Sequence, residues 1–312
     1  MSSEERNEEY HVPVMLHECI KALDIHPDGT YVDLTFGGGG HSKNIIDQLG
    51  KGHLYAFDQD EEAAANSQPF ESDERFTFVQ ANFRYLKRYL KLHGVSQVDG
   101  ILADLGVSSH QIDEPERGFS TRFEGDLDMR MDQGEALTAA QVLNEYAEKE
   151  LHKIFGIYGE VKNARTLATR IVAERVKAPF KTIDQLKKVL ADYAPRGKSA
   201  KYFAQVFQAL RIEVNQELQV LEEMLLQIPE VLKPGGRLVV MSYHSLEDRL
   251  VKNFIQKGKF HGQVEKDFYG NLIRPMEPVG KKVITASQEE LERNNRARSA
   301  KLRIAQKVAN GN

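Results

Sequence analysis

The 312-residue chain has a single cysteine, Cys19, so no intrachain disulfide can form and no thiolate metal cluster can be assembled. No apolar run approaches the roughly 20 residues that a membrane helix needs. The opening SSEERNEEY is acidic where a signal peptide would be basic and then apolar. These absences predict a cytoplasmic protein with no membrane partner and no metal. A strong net charge is also missing: 42 Lys and Arg against 46 Asp and Glu leave −4, which argues against a simple polyanion binder. The length suggests about two domains, and 41% hydrophobic with 28% charged residues is ordinary for a globular chain.

The charge is unevenly spread. Residues 149–212 carry 14 Lys and Arg against 5 Asp and Glu, a balance of +9, and residues 291–307 carry 6 against 1, a balance of +5. The rest of the chain is therefore −4 − 14 = −18. Positive charge gathered in two segments of an acidic protein is the electrostatic footprint of a phosphate-backbone partner, with Lys187, Lys188, Lys198 and Lys201 as candidate contacts. Solvated helix faces are the alternative.

The organising stretch is TYVDLTFGGGGH, residues 30–41. Tyr31 to Phe36 reads as a short β-branched and aromatic strand, Gly37 to Gly40 as a turn, and His41 to Leu49 as an apolar-periodic helix. Glycines let the backbone take positive φ and approach a ligand, while the helix start presents free N–H groups, so the turn is a candidate nucleotide cradle. The next strand, His53 to Asp58, ends in a carboxylate about 20 residues beyond the first glycine, where an acid reaches the ribose hydroxyls of an adenosine cofactor. Ser42 falls where the third glycine of the dinucleotide fingerprint would stand. S-adenosylmethionine, which has no pyrophosphate to seat, therefore fits better than NAD.

A short helix is expected over Glu18 to Leu23, and further strands over Phe76 to Gln80 and Val98 to Asp104. Phe83, just past the former, can stack on an adenine or pack in the core, and the latter delivers Asp104 to the cofactor edge of the sheet. The polar loop 105–111 leads into an aperiodic stretch, residues 116–132, whose aromatic and methionine content suggests a functional lid. Helices are expected from Leu137, over Ala164 to Val176, over Ile183 to Leu190 and, as one long helix, over Lys201 to Ile228. Pro234-Gly235-Gly236 turns into a strand, Arg237 to Tyr243, and Ser245 resembles the N-cap of a helix reaching Gln256. Lys282 to Thr285 and Lys301 to Ala305 read as two late strands. The whole is an α/β protein, with core segments 1–131 and 203–312 flanking an inserted helical substrate-recognition domain, 132–202.

TFGGGGHS, DLGVSS, ERGFS, LDMRMD, SYHSLEDR and RARSAKLR, in this order over nearly the whole chain, resemble the bacterial small-subunit ribosomal RNA cytosine-N4 methyltransferases. The resemblance implies a Rossmann-like class I methyltransferase sheet and S-adenosylmethionine contacts at Gly39, Gly40, His41, Asp58, Phe83, Asp104 and Gln111. It implies methylation of a cytidine of 16S rRNA, position 1402 of the decoding region, as free RNA or in the assembled small subunit. Two small departures stand out: His110 where the family usually has proline, and Tyr243 where phenylalanine is common.

The chemistry can be argued from the residues. A cytosine amine is a poor nucleophile because its lone pair is delocalised into the ring, so an enzyme must align it with the sulfonium methyl and accept its protons' hydrogen bonds. Asp104 is the candidate acceptor, and His244 and Ser245 could hold the base. A methyltransferase acting on DNA or protein amides is the second reading. DNA is not expected, because the Pro-Pro-aromatic that follows the acceptor in many amine methyltransferases is replaced by Leu105-Gly106-Val107. Oligomeric state is left open, a homodimer included.

Overall fold

A computed structural model describes residues 13–309. The acidic segment SSEERNEEY lies outside the described residues. The chain divides into two compact units, one formed by residues up to Gly106 and from Leu218 onward, the other by Val107–Glu217.

Among the described residues, the first unit is built on a seven-stranded sheet. Its strands are β1 (Thr30–Asp33), β2 (His53–Asp58), β3 (Phe76–Gln80), β4 (Val98–Asp104), β5 (Leu232–Ser242), β6 (Met276–Pro278) and β7 (Lys301–Lys307). They lie in the order β3-β2-β1-β4-β5-β7-β6, with the first five parallel and β7 antiparallel to both its neighbours. The central strands are apolar almost throughout because both faces are covered. Alternate side chains go to opposite faces. Val32, Ile101, Ala103, Leu238 and Val240 pack with Leu221, Leu225 and Ile228 of the helix Glu217–Val231. Tyr31, Leu102, Val239 and Met241 pack with Leu23, Ile45 and Ile46 on the other side.

The second unit is helical. Leu143, Phe155, Leu167, Ile171, Leu186, Leu190, Val206 and Leu210 form its core. The helix Glu148–Ile157, which supplies Phe155, had no counterpart among the expected elements.

Several expectations need correction. The residue 116–132 stretch is no lid but a strut of the second unit: Leu127 and Met129 are in its core, and the Leu127 and Ile183 amides donate to Lys181 and Gly125 carbonyls at 2.9 Å. Buried Arg117 donates to the carbonyls of Arg130 and Met131, both at 3.1 Å. The unit therefore begins at Val107 rather than at 132, and it ends at Glu217 rather than 202. The expected long helix is two, Ser199–Asn215 and Glu217–Val231, parted at Gln216 with φ 50°. Lys282 to Thr285 forms only an isolated bridge, Ile284 to Leu302, and β6 is the edge strand instead. β5 begins at Leu232, and Pro234-Gly235-Gly236 lies within it, where its register with β4 shifts between Val98 and Gly100.

Candidate active site

Parallel strands present their carboxyl ends along one edge of the first unit. The glycine turn joins β1 to the helix Gly40–Ile46. Gly39 has φ 78°, and a Cβ there would stand 2.8 Å from the Phe36 ring and 2.9 Å from that of Phe70. At Gly40 a Cβ would stand 2.3 Å from Pro13, so this position is closed by the chain itself. At Gly38 nothing lies within 4 Å, and the turn is open there. Asp58, at the end of β2, ties the turn down: its Oδ2 accepts from the Gly37 amide at 2.8 Å and its Oδ1 from the Asp60 amide at 3.0 Å. Burial pushes its pKa up to about 6 against those two bonds. Each oxygen keeps a lone pair for a further donor.

Asp104, at the end of β4, is held from two sides. Its amide donates to Thr35 Oγ1 at 2.7 Å, and its Oδ1 accepts from the Tyr243 hydroxyl at 2.7 Å. Burial, then the nearby charges of Asp33 and Glu247, push its pKa up to about 7, with the Tyr243 bond opposing them. Its side chain remains 22% exposed, enough for a ligand to reach it. Asp33 lies beneath, 1% exposed, accepting from Ser42 Oγ at 2.7 Å and from the Thr35 amide at 3.1 Å. Ser42, where a dinucleotide fingerprint would have glycine, is thus the partner of a buried acid. His41 Nδ1 stands 3.9 Å from Asp104 Oδ2. Burial lowers the His41 pKa to about 4, so the imidazole is neutral and this contact is no ion pair at pH 7. Its buried Nε2 has no hydrogen-bond partner among the described residues.

The expected helix cap shifts by one residue. His244, not Ser245, is the N-cap of the helix Ser245–Lys257, because the reciprocal acid is Glu247, three residues beyond it. Glu247 Oε2 accepts from the Tyr243 amide at 2.9 Å, and His244 Nε2 stands 3.2 Å from Glu247 Oε1. Ser245 is exposed at the first helical position. Phe83 is half-buried against the core of Leu86, Leu90 and Leu221, in a turn capped by Asn82, whose side chain donates to Gln59 at 2.7 Å. Gln111 belongs to the second unit, where it closes a capping box with Ser108. Asp33, Thr35, Tyr243 and Glu247 are site residues that the sequence reading missed. Asp33 carried a signal there, as an acid inside an apolar strand shortly before the glycines, and Tyr243 stood out as a departure from phenylalanine.

In open α/β sheets, nucleotides bind beyond the carboxyl ends of the strands where strand order reverses. Here the reversal falls between β1 and β4, the strands that carry the glycine turn and Asp104. The donor set fits S-adenosylmethionine: an open glycine, a carboxylate at ribose reach and a second, partly exposed carboxylate that suits a cationic sulfonium. The fold and site are those of a class I S-adenosylmethionine-dependent methyltransferase. The model of the MraW methylase family matches residues 8–308, and the chain belongs to that family. It is 59% identical to the ribosomal RNA small subunit methyltransferase H of Cytophaga hutchinsonii over 298 residues, covering 96% of this chain and 99% of that one. It is also 59% identical to the protein of that name from Flavobacterium johnsoniae over 301 residues, covering 96% and 98%. Among solved structures, an rRNA methylase from Streptococcus thermophilus superposes with a TM-score of 0.40 at 13% identity, over 96% of this chain and 99% of that one.

Proposed function

We propose that this protein methylates N4 of a cytidine in small-subunit ribosomal RNA, position 1402 by resemblance, with Asp104 as the acceptor that orients the amine. The observation that carries this reading is the partly exposed Asp104 carboxylate at the switch point, fixed by Thr35 and Tyr243. When bound, the cofactor would supply an electrophilic methyl, the N4–C bond forming as the S–C bond breaks and the electron pair staying on sulfur. Asp104 accepts a hydrogen bond from the amine, aims its lone pair and takes the proton that the methylated nitrogen sheds. His244 acts through its cap, fixing Glu247 and the end of β5, and Ser245 offers a hydroxyl at the helix start. Cofactor contacts are assigned to the backbone around Gly39 and Gly40, to His41 and Asp58, and to Phe83 against the adenine. Tritiated cofactor offered with deproteinised small-subunit RNA, assembled subunits or DNA tests this reading. Label confined to DNA would overturn it.

Residues 149–212, with their balance of +9, support an RNA substrate by charge, although the second unit as a whole is balanced. The helix Ala164–Lys177 carries a hollow of about 400 Å³ lined by Arg165, Thr166, Thr169, Arg170, Ala173 and Tyr193. Asn163 donates to the Tyr193 carbonyl at 3.1 Å and accepts from the Tyr202 hydroxyl at 3.0 Å, so the segment bearing exposed Lys198 and Lys201 meets the end bearing exposed Lys162 and Arg165. Lys187, in contrast, faces Asp184 at 3.8 Å.

Asp58→Ala should weaken cofactor binding by about ten- to a hundredfold, the worth of charge-assisted bonds to ribose hydroxyls. Calorimetry giving an unchanged Kd would remove Asp58 from the site.

Cofactor binding should also release protons. Asp58 and Asp104 are raised to about 6 and about 7, so both are partly protonated near pH 6.5. A sulfonium beside Asp104, and hydroxyl donors on Asp58, favour the carboxylates and lower both values. Affinity should therefore rise from pH 6 to pH 8 and level off above. Calorimetry in buffers of different ionisation heat should show net proton release at pH 6.5, and proton uptake there would contradict the assignment.

A further inference from the structure

We infer that Tyr243 is a positioning residue for methyl transfer, its hydroxyl holding one oxygen of Asp104 so that the other is aimed at the target amine. This inference rests on the reading of Asp104 given above. The hydroxyl donates to Oδ1 at 2.7 Å and leaves Oδ2 free of that bond. A carboxylate at a strand end can rotate, and one short donor on one oxygen fixes the orientation of the other. The tyrosine is itself held. Its amide donates to Glu247 at 2.9 Å, and its ring lies beside Gly106.

The bond also bears on charge, because among the described residues every other ionisable neighbour of Asp104 works against its ionised form or is silent. Asp33 from the end of β1 and Glu247 from the helix Ser245–Lys257 are negative and raise its pKa. His41 from the helix Gly40–Ile46 is neutral, and Cys19 from the helix Leu16–Leu23 is a buried thiol held well above its usual value by burial and by Asp104. Tyr243 is likewise held well above the usual phenol range, by burial first and then by the charge of Asp104, so it stays a donor across the working range. It is the one group of this set that favours the carboxylate.

Tyr243→Phe keeps the ring and removes the donor. In single-turnover methyl transfer at saturating cofactor and RNA, the acid limb of the rate profile should move up by about one pH unit, a loss of about tenfold on the acid side, as expected for one hydrogen bond to a carboxylate. At alkaline pH, where Asp104 is ionised with or without the bond, the rate should still fall several-fold because the free oxygen is no longer aimed, and RNA affinity should not change. Fluorotyrosine at position 243, a more acidic donor in the same shape, should move the limb the other way. An even drop at all pH values with the midpoint in place would reduce Tyr243 to packing and overturn the inference, and so would a fluorotyrosine profile that does not move. Asp104→Asn, run in parallel, separates the two claims. A near-wild-type rate there sinks the reading of Asp104 itself, whereas a large loss there with an unmoved Tyr243→Phe midpoint sinks only this one.

Discussion

Asp104→Asn should slow methyl transfer by on the order of a hundredfold or more, the range expected when a positioned proton acceptor is lost. Asparagine has the same shape, and its carbonyl can still accept from the Tyr243 hydroxyl that now bonds Oδ1. That leaves the amide NH₂ at the position of Oδ2, so a donor faces the amine where an acceptor is required. The fold should not suffer. Burial and the charges of Asp33 and Glu247 hold Asp104 up at about 7, so its ionised form is disfavoured in the folded state. The sign follows: a carboxyl raised on folding contributes stability below its unfolded pKa near 3.8 and loses it as pH rises through about 7. A neutral amide has no such loss, and the variant should melt no lower than wild type at pH 8. Single-turnover rates at saturating cofactor, with melting as the control, are the measurement. A near-wild-type rate would show that other groups orient the amine, with His244 the first to examine.

Asp58 and Asp104 were legible as strand-end acids in the sequence for a physical reason. β2 and β4 are apolar runs covered on both faces, and an apolar run that stops at a carboxylate marks the strand's end and the residue it presents. Both strands, and β3, have the expected limits. Elements whose signal depends on context were not legible. β6 is three residues long and contains Pro278, which carries no strand signal and is tolerated only at an edge. The break at Gln216 has neither glycine nor proline, and the apolar stripe runs through it, because Val214 belongs to the core of the second unit and Leu221 to that of the first. One period served two cores.

The site shows the same division. The helix cap was expected at Ser245 because serine is a favoured cap, yet the box forms one residue earlier, with an imidazole in the hydroxyl's place. Tyr243 looked like a conservative departure until the structure placed its hydroxyl on a carboxylate 139 residues away in sequence. The motif strings also divide by role. Asp248 of SYHSLEDR receives Arg303 of RARSAKLR at 2.7 Å, a pair that fastens a helix to β7, and ERGFS and LDMRMD brace the second unit through Arg117. The strings that carry the resemblance therefore include scaffold as well as candidate chemistry, and only distances tell the two apart.

Replacing Lys162, Arg165, Lys198 and Lys201 together with alanine should weaken RNA binding by on the order of a hundredfold or more near 0.1 M salt, and lower the salt slope by about two to three. Each cation that neutralises a phosphate of a single strand releases about 0.7 of a condensed counterion, so the four losses add in the slope whatever the RNA sequence. All four side chains are exposed, and Asn163 binds their segments together through Tyr193 and Tyr202, so they can act on one stretch of backbone. The contrast is built into the same unit: Lys187 is engaged with Asp184, and Lys187→Ala should change the slope by far less than one. Cofactor affinity should be unaffected, since the proposed cofactor contacts at Asp58, Asp104 and the glycine turn belong to the first unit. Titrations of a single-stranded RNA at several salt concentrations decide the matter. If affinity and slope both stay at wild-type values in the fourfold variant, the positive charge of residues 149–212 is only a solvated surface, and the RNA must be held elsewhere.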